Sequence, residues 1–105
     1  MLVYLLKTRD LEEYKIGFTK GDIKKRLKSL QTGCPSEIVV VDSFESEFAT
    51  KIESTLHFMW SRFRVNGEWF LFENNEQLKF NELCQQFHNN FQALKVHQTE
   101  YTFEL

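Results

Sequence analysis

Leu2-Val3-Tyr4-Leu5-Leu6-Lys7-Thr8-Arg9-Asp10-Leu11-Glu12-Glu13-Tyr14-Lys15-Ile16-Gly17 is the stretch that decides the fold. Residues 2–6 are aliphatic or aromatic throughout and read as a strand. Residues 8–13 are largely polar and turn the chain. Residues 14–17 read as a second, short strand, so the pair forms a hairpin. Gly17 ends it, and residues 19–22 supply a loop and a helix cap. Ile23, Leu27 and Leu30 then recur at i, i+4 and i+7, the spacing of one helical face. The spacing predicts a helix over about 23–30, closed by Gly33-Cys34-Pro35.

Working outward, residues 38–44 form a third strand. As the most apolar of the set, it is expected at the centre of the sheet or as its best-covered member. Ser46 is placed to cap a long helix to about Phe63, because Phe48, Ile52, Leu56, Met59 and Phe63 repeat as an amphipathic stripe. Asn66-Gly67 is a tight-turn pair, and Glu68-Trp69-Phe70-Leu71-Phe72 a short aromatic strand. Asn74 or Asn75 caps a last helix to about Leu94, with Leu83, Phe87, Phe91 and Leu94 on its buried face. In residues 96–105, Tyr101 and Phe103 alternate as in an added strand. The order β-β-α-β-α-β-α is an α+β fold: a small central, mostly antiparallel sheet flanked by helices, in a single domain over 1–105.

The length suits one hydrophobic core and not two. With 42% hydrophobic residues and eleven Phe, the composition is not that of a disordered chain. The longest aliphatic run, Ile38–Val41, is far too short to span a membrane. Cys34 and Cys84 are the only cysteines, and no signal peptide is expected before the first strand. A reduced, cytoplasmic compartment is the simplest expectation.

Charge is unevenly divided. Residues 1–34 hold eight Lys/Arg against four Asp/Glu, a net +4; residues 35–105 hold five against eleven, a net −6. Lys20, Lys24, Lys25, Arg26 and Lys28 stand against Asp22 alone, an electropositive face on an acidic protein. At ~100° per helical residue, Arg26 falls on the flank of the apolar stripe while Lys24, Lys25 and Lys28 point outward. An arginine at a core edge calls for an anionic partner; Glu53 and Asp42 are candidates. Glu53 shares an edge of the long helix with Ala49, His57 and Trp60.

These residues together resemble the GIY-YIG nuclease superfamily, in its compact phage- and virus-type branch. The resemblance is carried by Val3-Tyr4, Lys15-Ile16-Gly17, Asp22-Ile23-Lys24-Lys25-Arg26-Leu27, Glu53 on the next helix, and Gly67-Glu68-Trp69-Phe70. It covers residues 2–72 and leaves 75–105 as a C-terminal helix and tail. It implies a metal-dependent DNA endonuclease, with Glu53 binding Mg²⁺ (Mn²⁺ as a substitute) and Tyr4, Lys15 and Arg26 around the scissile phosphate. Lys20, Lys24, Lys25 and Lys28 would attract DNA, and His57 and Asn66 would support the site. If phage- or virus-encoded, the chain would act in the host cytoplasm. Mg²⁺ takes hard oxygen ligands and keeps several waters, so one carboxylate plus phosphate oxygens can anchor it. Arginine offers a planar fork that matches two phosphate oxygens. A tyrosine acts as a base near neutrality only beside cations, and Lys15 and Arg26 are such cations.

Two positions depart from the superfamily pattern. Leu2 stands where the first motif has glycine, and Lys15 where the second has tyrosine. Adjacent strand residues face opposite ways, so Tyr14 cannot replace a tyrosine at position 15. A catalytically silent nucleic-acid-binding module of the same fold is the alternative reading. A protein-interaction domain using the acidic half is a third. A free-standing domain of this size binds few phosphates, which points to a homodimer or a larger assembly. Trp69 reads as a core plug rather than a base-stacking platform. Cys84 and His88, at i and i+4, lack the second pair that a zinc site needs.

Overall fold

The computed structural model describes the backbone of residues 1–104 and the side chains of residues 1–95. The strands are β1 (Leu2–Thr8), β2 (Glu13–Thr19), β3 (Ile38–Glu45), β4 (Arg64–Asn66) and β5 (Trp69–Leu71). The helices are α1 (Ile23–Thr32), α2 (Ala49–Met59) and α3 (Phe80–Glu104). The expected α+β architecture is what the chain adopts. All five strands lie in one sheet, in the order β3-β1-β2-β5-β4, and every neighbouring pair is antiparallel.

The β1–β2 hairpin sets the register that matters later. Tyr4 lies opposite Gly17, and Leu6 opposite Lys15. Side chains alternate across a strand, so Tyr4, Leu6, Lys15 and Gly17 share one face and Val3, Leu5, Tyr14 and Ile16 the other. On the second face, Val3, Leu5, Tyr14 and Ile16 pack with Ile52, Leu56, Trp60, Phe63, Phe70, Phe80 and Cys84 into the main core. On the first, Tyr4, Leu6 and Ile38 form a smaller cluster under Ile23, Leu27 and Leu30 of α1. Asp22 caps α1 by accepting from the Lys24 backbone N–H at 3.0 Å.

Four expectations need correction. The apolar strand β3 is an edge strand, and its Val40 and Val41 are exposed; β1 beside it is the best-covered strand. Apolar composition alone did not identify the centre: of β3 only Ile38 joins the cluster under α1, and Phe44 packs on the other face. The long second helix stops at Met59, and Ser61–Phe63 form a 3₁₀ turn. That tightening moves the stripe: Met59 is exposed, while Ala49 and Trp60 are buried. Ser46 accepts from the Phe48 N–H at 2.9 Å one residue ahead of the first turn. In the last helix Asn75 adopts the left-handed conformation without a side-chain cap, and Leu94 is exposed while Phe80 and Cys84 are buried. Finally, residues 96–104 continue α3 instead of adding a strand. Pro and Gly, the usual stops, are absent from that segment, so the helix runs on. Strand β4 had no counterpart in the sequence reading; it pairs with β5 across Gly67, whose φ of +55° suits glycine.

Candidate active site

β5 pairs with β2 only through Glu13, Tyr14 and Lys15. Beyond Lys15, the Ile16 N–H donates to the Glu68 carbonyl at 3.2 Å, and β2 then continues without β5 beside it. This leaves a notch in the strand pairing at Ile16–Gly17. Glu53 on α2 reaches the notch from one side, and Glu68, at the turn into β5, meets it there.

Ligand atoms of Glu53, His57 and Glu68 lie within 4.8 Å of one another. His57 is fixed from three directions. Its ring stacks edge-on against Phe70, with centroids 4.9 Å apart. Arg64 donates to Nδ1 at 3.3 Å, which leaves the ring proton on Nε2. From there the imidazole donates to the Ile16 carbonyl at 2.8 Å and lies 3.1 Å from Glu53 Oε1. His57 therefore orients Glu53 rather than offering a free lone pair to the notch. Burial raises the Glu53 pKa, the His57 partner lowers it, the Glu68 charge raises it and the Lys15 ammonium lowers it. The net shift is upward, because burial outweighs the pull of His57 and Lys15.

Lys15 and Glu68 form a 2.7 Å ion pair, and the lysine side chain is only 12% exposed. A lysine so covered needs such a partner. Its ammonium also lies 5.6 Å from the Trp69 ring centroid. Tyr14, one residue earlier, is buried on the other face against Phe72, so position 15 alone serves the site side.

Tyr4 is fully buried, with its ring pressed against Gly17. A Cβ at Gly17 would fall 2.5 Å from the Tyr4 hydroxyl oxygen. Arg26, at the solvent side of α1, donates from Nε to that oxygen at 3.3 Å. Its partner is thus Tyr4, not Glu53 or Asp42. The Tyr4 hydrogen bond first, and the charge of Glu68 as a lesser cause, raise the Arg26 pKa. Glu68 is therefore felt by Lys15, Glu53 and Arg26 alike.

Lys20, Lys24, Lys25 and Lys28 are all exposed. Lys24 and Lys28 border a shallow cleft shared with Gln31 and Glu37. Asn66 is exposed on β4 and lines a cleft beside Trp69, apart from the Glu53 cluster. Cys84 is buried and its thiol is pushed up to about 12 by desolvation, while His88 bonds Ser46 at 2.7 Å; neither is arranged as a metal ligand. The sequence reading named Glu68 only within Gly-Glu-Trp-Phe and gave it no role. Its partner Lys15 lies 53 positions away, and only the β2–β5 register brings the two together.

The inner strands β1 and β2, with α1 and α2 beside them, thus carry Tyr4, Lys15, Arg26 and Glu53. The chain matches the T5orf172 domain over residues 1–85 and belongs to that family, a phage-associated domain of the nuclease-related group. No curated protein and no solved structure gives a significant match. Among the described residues no helix is long and apolar enough to cross a membrane.

Proposed function

We propose that this chain is a Mg²⁺-dependent DNA endonuclease of the GIY-YIG type. The observation that carries the reading is the convergence of Glu53 and Glu68 within 4.8 Å, beside Lys15 and facing the field of Arg26. Two carboxylates offer the hard oxygen donors that Mg²⁺ or Mn²⁺ prefers, so the donor set fits. Bound there, the cation supplies Lewis-acid charge next to the phosphate.

The chain's own residues do the rest. His57 holds the Glu53 carboxylate in place. Arg26 uses Nε on Tyr4, which leaves its two terminal nitrogens for phosphate oxygens in a fork. Glu68 would help hold the cation, and Lys15, its ion-pair partner here, would add charge to the same phosphate. The Tyr4 hydroxyl, held by Arg26, orients the attacking water, whose proton passes to solvent. The water oxygen bonds to phosphorus as the bond to the leaving sugar oxygen breaks, and a proton from solvent goes to that oxygen.

Plasmid and oligonucleotide cleavage with Mg²⁺, with Mn²⁺ and with chelator tests this. Glu53→Gln should abolish cutting, and Arg26→Ala should slow it by ~10²–10³ at saturating DNA. A Glu53→Gln variant that cuts at the wild-type rate overturns the metal assignment. The full burial of Tyr4 and the pairing of Lys15 with Glu68 favour a second reading, a DNA-binding module that does not cut. Salt-dependent DNA binding by wild type without cleavage in either metal selects it.

A further inference from the structure

On the Tyr4–Lys15 face of the sheet, apart from the Glu53 cluster, lies a cleft of about 340 Å³ that the catalytic reading does not use. Trp69, Leu11 and Val65 supply its apolar surface, and Thr8, Glu13 and Asn66 its polar groups. Leu11 and Val65 are each 52% exposed, so the rim is open. The Thr8 hydroxyl in its wall is buried and has no hydrogen-bond partner.

Register ties this cleft to the phosphate side. Lys15 pairs with Trp69 across β2–β5, and Glu13 is two residues before Lys15 on the same face, a step of ~6.8 Å. Trp69 also lines the smaller cleft that contains Lys15, Leu30 and Cys34. The indole is thus a wall shared by a cationic anchor and an apolar recess. A nucleotide repeat is ~3.4 Å along one stacked strand and longer when unstacked. A phosphate at Lys15 therefore brings the recess within reach of a neighbouring base.

We propose that this recess receives one unstacked nucleobase of the DNA strand, stacked on Trp69 and hydrogen-bonded along its edge by Thr8 and Asn66. The proposal rests on the DNA reading above. An aromatic face accepts any base, whereas the unpaired hydroxyl and the carboxamide match the donors and acceptors of a base edge. The space suits a single ring system, at the small end of ligand sites. In this proposal Trp69 serves as the stacking surface.

The test is binding without cutting. In chelator, the affinity of the whole chain is measured for a short oligothymidylate and for an abasic strand of equal length, so that phosphates match and bases do not. Wild type should prefer the thymidylate by roughly ten-fold. Trp69→Ala should lose that preference and keep the abasic affinity. Thr8→Val, close in shape and free of the unpaired hydroxyl, should fold and lower the preference, and it carries the test if Trp69→Ala does not fold. Equal wild-type affinity for both strands overturns the base pocket and leaves the phosphate reading standing. So does a preference untouched by Thr8→Val and Trp69→Ala. Binding to neither strand overturns the DNA reading and the pocket with it.

Discussion

Beneath α2 and α3 the sheet rests on rings: Phe72 alone touches Tyr14, Trp60, Phe63 and Phe70, with centroids 4.8–6.1 Å apart. Beneath α1 it rests on Tyr4, Leu6 and Ile38, and α1 itself contains no buried residue. One face is thick and apolar, the other thin and wet at its rim. The difference teaches where this fold can carry charge. Lys15 and Arg26 sit on the thin side, Glu53 reaches around the notch, and the thick side supplies the stability that this arrangement does not.

The contrast breaks most visibly at Phe70. It is fully buried in the main core and braces His57. Phe70→Ala should cost ~3–5 kcal/mol in urea unfolding, whereas Leu27→Ala, half-buried on α1, should cost clearly less. Equal losses would mean that the two faces share the load.

Gly17 sharpens it next. An added Cβ meets the Tyr4 hydroxyl oxygen at 2.5 Å and ring carbon Cζ at 2.7 Å, and the buried ring has nowhere to retreat. Gly17→Ala should lose ~1–3 kcal/mol by overpacking and disturb the Arg26 hydrogen bond. Adding Tyr4→Phe should recover only part of this, since Cζ remains. Full recovery would show that the ring moves freely.

Glu53 should respond in the opposite direction. Its native pKa is raised, chiefly by burial. The stability that it contributes is therefore complete below the unfolded-state value and is lost as pH rises through the native one. Glu53→Gln removes that loss. Melting curves should show the variant gaining on wild type from about pH 4 toward 7, and Mg²⁺ should raise the wild-type Tm but not the variant's. A constant offset across that range would detach Glu53 from the effect.

The smallest change belongs to the outer lysines. Lys24→Ala, Lys25→Ala and Lys28→Ala should each alter stability by under ~0.5 kcal/mol. In DNA titrations, each lysine that neutralises a phosphate should flatten the salt slope by ~0.9 when it is removed. Calorimetry and binding isotherms at several salt concentrations check both halves.

Local pattern made most of this fold legible. The hairpin, α1, and the Ile52–Leu56 stripe follow from residues close in sequence. What was not legible depends on pairing at a distance. Val40 and Val41 look like central-strand residues until the order of strands puts them at the edge. Tyr4, Lys15, Arg26 and Glu53 were named from the motifs. The division into a Tyr4–Arg26 pair and a Glu53–His57–Glu68 cluster needs the point at which β5 leaves β2. Glu68 falls in the Gly67–Phe70 motif, which gave it no role, and Arg64 carries no periodicity of its own.

The same long-range pairing has a consequence in time. Ile16 meets His57 across 41 positions, and Lys15 meets Glu68 across 53, so the notch closes only after two large loops have closed. Pairings of such separation form slowly compared with a hairpin. During refolding, the β1–β2 hairpin should therefore appear before the Glu53–His57–Glu68 cluster, which should assemble in one late step as β5 docks. A ribosome-bound chain that has not yet extruded Glu68 holds Tyr4, Lys15, Arg26 and Glu53 without the residue that links them. The order of synthesis thereby delays the cluster until β5 is in place.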